Sequence, residues 1–113
     1  MLSHERLDVY RCAIQFLALA RRIVRAFPRG YADSADQLMR AARSSPNNIA
    51  EGAGKASLAD RNRYWTHARG SALECGACLD VAQVEEIISD EHFKEGKCLL
   101  ERIVAMLTKA IRD

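Results

Sequence analysis

The 113-residue sequence has few residues that interrupt helices or favour strands. It contains two prolines, six glycines and two threonines, and aromatic residues make up only 6% of the chain. Threonine and aromatic residues are enriched in strands, so their scarcity disfavours a β-sheet fold. No apolar run reaches the ~18 residues that a membrane-spanning helix needs, so we expect no membrane partner.

The remaining composition is that of a folded, water-exposed protein. Hydrophobic residues make up 49% of the chain and charged residues 28%, which disfavours disorder. The length predicts a single domain over residues 1–113. The first ten residues lack the apolar core of a signal peptide, so we expect a cytoplasmic location.

The charge is unevenly distributed along the chain. The formal net charge is +2, but residues 1–70 hold 12 Lys and Arg against 6 Asp and Glu, whereas residues 71–113 hold 5 against 9. This asymmetry is consistent with an anionic partner for one face of the protein. Charge matching between helices of the same molecule is the alternative.

Apolar residues recur at spacings of three and four and predict four helices. Ser34-x-x-Gln37 is typical of a capping box at the start of the second helix, and Ser57 and Ser89 are candidate N-caps for the third and fourth. The connections are short, which predicts an all-α, antiparallel up-down-up-down four-helix bundle. The predicted helices run from about Glu5 to Phe27, from Ser34 to Gly52, from Leu58 to about Ile87, and from Ser89 to the C-terminus.

The second helix contains Pro46, which has no N–H for the carbonyl of Ala42 and crowds that turn at a cost of ~3 kcal/mol or more. The helical spacing nevertheless continues across the proline, through Ser45, Ile49 and Gly52. We therefore predict one helix kinked at Pro46, with serine and asparagine side chains bonded to the freed carbonyl groups.

The first and fourth helices have apolar faces wider than the single seam that a surface helix needs. Either each helix contacts two neighbours within the protomer, or part of the face meets another copy of the chain, which is the interpretation we favour. A protomer that buries the large residues of these faces behind polar outer surfaces would contradict it. Those residues are Phe16, Ile23, Leu100 and Leu107.

The middle of the third helix is unusually rich in small residues, including Gly70 and Gly76. Glycine within a helix costs ~1 kcal/mol relative to alanine. Two such glycines predict the close approach of another backbone.

The segment from Leu38 to Ser57 reads L-x-R-A-A-x-S-S-P-x-N-I-A-E-G-x-G-K-x-S. It resembles the motif of a bacterial four-helix-bundle protein family, which includes ribosomal RNA intervening-sequence proteins and the accessory variability protein of diversity-generating retroelements. Leu7-x-Val9-Tyr10, Phe27-Pro28, Ala68-x-Gly70-Ser71 and Met106-Leu107 extend the resemblance. The motif residues with a structural role are Pro46, Asn48, Ile49, Ala50, Glu51 and Gly52.

The resemblance implies a toroidal homopentamer. It also implies a link to nucleic acid, because the retroelement relative uses a basic surface to engage nucleic acid and a reverse transcriptase. The modest net charge of this sequence departs from that strongly basic relative.

No set of catalytic residues can be assembled from the sequence. Cys75-x-x-Cys78 lacks a second pair at metal-binding spacing, since Cys12 and Cys98 are isolated, and small, partly buried cysteines are expected there rather than a redox or zinc site. The three histidines are scattered, and Glu51 has no partner for acid–base chemistry. We therefore expect no metal, no cofactor and no enzymatic activity.

Basic residues form the candidate nucleic-acid surface, because the planar guanidinium group of arginine suits phosphate. No aromatic residue is expected among them to form a base-stacking surface, and an ordinary solvated face is the alternative. The candidate residues are Arg22, Arg25, Arg29, Arg40, Arg43, Lys55, Arg61, Arg63 and Arg69.

These observations predict a non-enzymatic helical bundle that self-associates and acts as an interaction scaffold, and the resemblance implies that the assembly is a ring of five. Its expected partner is RNA, DNA or a nucleic-acid enzyme, bound through the basic surface. The alternative function is an intracellular protein-binding or regulatory module without nucleic-acid affinity.

Overall fold

A computed structural model describes residues 2–113 of the chain. It begins with a short 3₁₀ turn, Ser3–Arg6, and continues with four α-helices, and no β-strand occurs in these residues. The helices are α1 (Asp8–Arg25), α2 (Ala32–Ala53), α3 (Leu58–Val84) and α4 (Asp90–Arg112). The predicted all-α fold with four helices is therefore confirmed.

The four helices enclose one hydrophobic core. Each helix packs against the next one in the chain and α1 also packs against α4, whereas the backbones of α1 and α3 do not approach within 8 Å (Cα to Cα) anywhere in residues 2–113. The protomer is elongated and measures 45 × 22 × 20 Å. The centre of the core consists of large, almost fully buried side chains: Phe16, Leu19, Ile23, Leu38, Ile49, Leu79, Ile103 and Leu107. Burying each of them contributes about 1.5–3 kcal/mol, so this core is the main source of stability.

Serine side chains cap α3 and α4 at their N-termini, as the sequence predicts. Ser57 Oγ accepts a hydrogen bond from the backbone N–H of Asp60 at 3.1 Å. Ser89 Oγ accepts one from the backbone N–H of His92, also at 3.1 Å. Each bond satisfies an N–H group that has no partner within the helix.

The predicted capping box at the start of α2 is wrong. The helix begins at Ala32, so Ser34 lies inside the first turn and its side chain is not a cap. The reason is Gly30, whose φ of 101° places it in the left-handed region and turns the chain two residues before the helix. The helix therefore begins earlier than the Ser34-x-x-Gln37 pattern indicates.

The C-terminal ends of α1 and α3 also come earlier than the apolar spacing predicts. α1 ends at Arg25 rather than Phe27, because the proline that follows disfavours helical geometry in the residue before it. α3 ends at Val84 rather than near Ile87, since Glu86 adopts a left-handed φ of 59°.

α2 continues through Pro46, as predicted. Motif side chains before and after the proline form hydrogen bonds to backbone carbonyl groups. Asn48 Nδ2 donates to the carbonyl of Ser44 at 2.9 Å, and Ser45 Oγ donates to the carbonyl of Ala68 on α3 at 3.2 Å. Neither bond reaches the carbonyl four residues before the proline, so the predicted target of these side chains is wrong. One bond stays within α2 and the other joins α2 to α3.

The tight contact between α2 and α3 explains the glycine at the end of the motif. A Cβ atom at Gly52 would overlap the Trp65 ring and lie 3.0 Å from the carbonyl oxygen of Arg61. The Trp65 indole N–H is fixed there because it donates to the carbonyl of Ile49 at 3.1 Å. The indole ring occupies the space that a side chain at residue 52 would need.

The predicted close approach at Gly70 and Gly76 is wrong within the protomer. A Cβ atom at Gly70 would meet no atom within 4 Å, and one at Gly76 would make only ordinary contacts, the nearest at 3.9 Å. The close approach occurs instead at Gly96 of α4, where a Cβ atom would lie 2.7 Å from Leu79 Cδ1. The glycines of α3 therefore leave open space on that helix.

We predict that Gly52→Ala lowers the free energy of unfolding by about 1–3 kcal/mol, because the added methyl group displaces the buried Trp65 ring. Gly54→Ala is the matched control, since its φ of −88° suits any residue and its Cβ would lie 3.6 Å from the nearest atom. The control should change stability by less than about 0.5 kcal/mol. Urea unfolding at one protein concentration measures both changes, and equal effects would contradict the role assigned to Gly52.

Candidate interaction surfaces

The wide apolar faces of α1 and α4 are covered within the protomer. Phe16, Ile23, Leu100 and Leu107 are only 2%, 1%, 5% and 0% exposed. The physical reason is that α1 packs against both α2 and α4, while α4 packs against both α1 and α3. The interpretation that the width of these faces requires a second copy of the chain is therefore wrong.

A different apolar surface remains exposed, on the side of α3 that faces away from the core. Leu73, Val81 and Val84 are 50%, 54% and 82% exposed. With two small residues they form a row at spacings of three and four, which a helix places on one side. We call this row the α3 outer stripe: Gly70, Leu73, Ala77, Val81 and Val84.

The opposite side of α3 is apolar as well and packs into the core. Its buried residues are Trp65, Ala68, Ala72, Cys75, Leu79 and Ala82. A helix that is apolar on both sides is typical of one that is surrounded by other helices. Among residues 2–113, the neighbouring helices of α3 lie on its core side.

A groove of about 480 Å³ runs beside the α3 outer stripe, between α3 and α4. Its walls consist mainly of small and apolar side chains: Ala72, Leu73, Gly76, Ala77, Leu100 and Val104. Asp80 and Lys97 also line it and form an ion pair at 2.8 Å. The stripe and the groove together make this side of the protomer unusually apolar.

The predicted basic residues do not form one cluster. One group is Arg22, Arg25 and Arg29, and another is Lys55, Arg61 and Arg63. The group of Lys55, Arg61 and Arg63 lies at the start of α3. The group of Arg22, Arg25 and Arg29 lies near the end of α3, because Phe27, which is between Arg25 and Arg29 in the sequence, lines a groove with Ala82 and Glu85. α3 has 27 residues and is therefore about 40 Å long, so the two groups occupy opposite ends of the bundle. Arg40 and Arg43 are exposed on α2.

Two of the predicted basic residues, Arg61 and Arg69, bind other parts of the same protomer. The Arg61 guanidinium donates to the carbonyl of Ala110 at 3.0 Å and lies 4.5 Å from the centre of the Trp65 ring. Arg69 Nε donates to Thr108 Oγ1 at 2.7 Å. Both side chains are half-buried and hold the last turns of α4 against α3.

Lys55 and Arg63 lie against the ring of Tyr64, at 4.9 and 4.8 Å from its centre. The expectation that no aromatic residue lies among the basic ones is therefore wrong. Each cation also has a carboxylate neighbour, Glu51 at 3.6 Å from Lys55 and Asp60 at 3.8 Å from Arg63. We call Lys55, Arg63 and Tyr64 the Tyr64 cluster.

The cysteines are free thiols, and most are protected by their surroundings. Burial raises the pKa of the Cys75 thiol to about 12, and desolvation also raises the pKa values of Cys78 and Cys12. Cys98 is exposed. Between residues 2 and 113, no three His, Cys, Asp or Glu side chains are grouped so that they could hold a metal ion.

Sequence comparison places these features in a known family. The model of the 23S rRNA-intervening sequence protein family matches residues 5–109, which is nearly the whole chain. The chain belongs to this family. The relationship that the Leu38–Ser57 motif predicts is thereby confirmed, and no curated protein matches the chain.

A solved protein structure has the same fold. It is a crystal structure of a protein of unknown function from the S23 ribosomal protein family of Bacteroides thetaiotaomicron. The TM-score is 0.78, the alignment covers 93% of this chain and 99% of that chain, and 23% of the residues are identical. As for membranes, none of the helices described here is long and apolar enough to cross one.

We predict that a thiol reagent modifies Cys98 first under native conditions, with Cys12 and Cys75 protected until the protein unfolds. Raising the pH to about 10 should not expose Cys75 to modification, because its pKa of about 12 keeps it protonated. Peptide mass spectrometry after timed labelling measures the order, and Cys98→Ser should remove the fast phase. Rapid labelling of Cys75 in folded protein would contradict the burial described here.

Proposed function

We propose that the protein is a non-enzymatic, self-associating helical scaffold that binds RNA. The observation that supports self-association is the α3 outer stripe, which leaves a second apolar side of α3 exposed to solvent. Burying the stripe against another copy would stabilise the assembly by about 25 cal/mol for each Å² of apolar surface removed from water. Exposed apolar rows of this kind mark interaction sites in soluble proteins.

The unit of this scaffold is an antiparallel up-down-up-down bundle with α2 bent at Pro46. The order of contacts along neighbouring helices supports opposite directions, because residues later in one helix meet residues earlier in the next. Ser45 contacts Ala68 while Ile49 contacts Trp65, and the same reversal relates α3 to α4. The α3–α4 pairs are Arg69 with Thr108 and Asp80 with Lys97.

A ring of five copies is the assembly we expect from the family resemblance. Such a ring would repeat every surface of the protomer five times. Contacts that are weak in one copy would then act together on a large partner.

Structured RNA is the partner that we propose for this assembly. The family name refers to an intervening sequence of 23S rRNA, and the Tyr64 cluster combines two cations with an aromatic ring. Cations beside an aromatic side chain suit both phosphate and an unpaired base. Arg22, Arg25 and Arg29 are less suitable, since none of the cation–aromatic contacts in residues 2–113 involves them.

We predict that Leu73→Ser combined with Val81→Ser weakens self-association by about tenfold or more. Full burial of such a side chain is worth about 1.5–3 kcal/mol, and about half of each one is still exposed in the protomer. Leu58→Ser is the control, since Leu58 is 64% exposed but lies outside the stripe. Light scattering coupled to size-exclusion chromatography measures the mass of each assembly. A wild-type protein that is monomeric at tens of micromolar would refute self-association.

We predict that Lys55→Glu combined with Arg63→Glu weakens RNA binding by about tenfold or more. The plot of log association constant against log salt concentration should become less steep, by about two in its slope, because two phosphate contacts are lost. Fluorescence anisotropy with a structured RNA at several salt concentrations measures both quantities. Arg40→Glu with Arg43→Glu is the matched control and should change affinity by less than about threefold. Wild-type binding that does not depend on salt would exclude a phosphate-led mode.

The alternative function is a protein-binding or regulatory module without nucleic-acid affinity. The exposed α3 outer stripe is also compatible with a different protein partner. A monomeric protein that fails to bind RNA at low salt would favour this alternative.

A further inference from the structure

The outward side of α1 has a row of exposed residues that can be compared with the α3 outer stripe. Its members recur at spacings of three and four, so the helix places them on one side. We call this row the α1 outer stripe: Arg11, Ile14, Ala18, Arg21 and Arg25. Its middle is apolar, with Ile14 40% exposed, and its C-terminal part is cationic.

The charges bordering the two stripes are opposite in sign. Exposed carboxylates of Glu74, Asp80 and Glu85 border the α3 outer stripe, whereas Arg21 and Arg25 belong to the α1 outer stripe. In residues 2–113, the ion pairs include neither these two arginines nor Glu74 and Glu85. Charges without partners inside the protomer are available to a second molecule.

The two rows can also be placed in register. Steps of four, three and four separate Ile14, Ala18, Arg21 and Arg25. In the α3 outer stripe, Ala77 follows Leu73 by four residues, and Asp80, which borders the stripe, follows Ala77 by three. When two parallel helices are aligned with Ile14 beside Leu73, the small residues Ala18 and Ala77 meet and allow close packing. Arg21 then lies level with Asp80, and Arg25 lies beside Glu85.

The two stripes are at nearly the same level along the bundle. Phe16 and Leu19 of α1 and Leu79 of α3 all surround Gly96 of α4. In the proposed antiparallel bundle, α1 and α3 each run opposite to α4, so α1 and α3 point in the same direction. Because the backbones of α1 and α3 lie diagonally across the core, with no Cα atoms within 8 Å of each other in residues 2–113, their outer sides face different directions and one protomer presents both stripes at once.

A symmetric pairing of two α3 outer stripes is less favourable. It would bring the carboxylates Glu74, Asp80 and Glu85 of both copies into one interface, and like charges opposed across an interface are repulsive. Pairing α3 with α1 replaces this repulsion by attraction.

We infer that copies of this chain associate head to tail, with the α1 outer stripe of one copy packed against the α3 outer stripe of the next. This inference rests on the proposed self-association and specifies its interface. A head-to-tail contact between two different surfaces closes into a ring if the rotation between copies permits, and otherwise extends as a filament.

Two charge-reversed proteins test this interface. The first has Arg21→Glu with Arg25→Glu, and the second has Glu74→Lys with Glu85→Lys, which leaves the ion pair between Asp80 and Lys97 intact. Alone, each should associate at least about tenfold more weakly than the wild type, because every interface then contains like charges. In an equimolar mixture the two proteins should associate with each other in equal amounts, because each reversed stripe then meets its complement. Strict alternation cannot close a ring of five, so the expected products are open chains or rings with an even number of copies.

Sedimentation velocity and light scattering measure these assemblies, and circular dichroism verifies the helix content of each variant. Arg40→Glu with Arg43→Glu is the charge-matched control and should assemble like the wild type. If Arg21→Glu with Arg25→Glu assembles normally while Leu73→Ser with Val81→Ser does not, the α1–α3 interface is refuted and self-association stands. Failure of the mixture to assemble would also refute the interface, whereas a monomeric wild type would refute self-association itself.

Discussion

The contact between α2 and α3 around Trp65 is the constraint on which the rest of the protomer depends. The indole ring lies over Gly52 and donates to the carbonyl of Ile49, and Ser45 forms a second bond to α3. These contacts set the distance between the two helices and the rotation of α3 about its axis. That rotation determines which side of α3 enters the core and which side remains outside.

The outer side of α3 is the consequence of this arrangement. A helix with one apolar side is fully accommodated by a four-helix bundle, but α3 has two. A Cβ atom at Gly70 would meet no neighbour within 4 Å in residues 2–113, whereas the close glycine contacts of the protomer occur at Gly52 and Gly96. Packing within the protomer therefore does not explain why the α3 outer stripe is apolar.

The basic residues have different physical roles, and their count in the sequence does not distinguish them. Arg61 and Arg69 bond to the last turns of α4, so their cationic groups are engaged in holding the bundle together. Lys55 and Arg63 lie against Tyr64 at the surface, where they remain accessible to solvent. The bonding partners of Arg61 and Arg69 lie about 40 to 50 positions away in the chain. Which basic side chains form a cationic surface therefore depends on the tertiary structure.

The sequence by itself determined the features that depend on local chemistry. Apolar spacing predicted four helices, Ser57 and Ser89 predicted two caps, and the Leu38–Ser57 motif predicted the family. The tertiary structure decided which faces are covered. Phe16 and Leu107 are buried because two neighbours share each of their helices, while Leu73 and Val81, which are equally apolar, remain exposed. Periodicity defines the sides of a helix, but burial depends on the rotation of each helix against its neighbours, which is set by contacts between residues far apart in the chain.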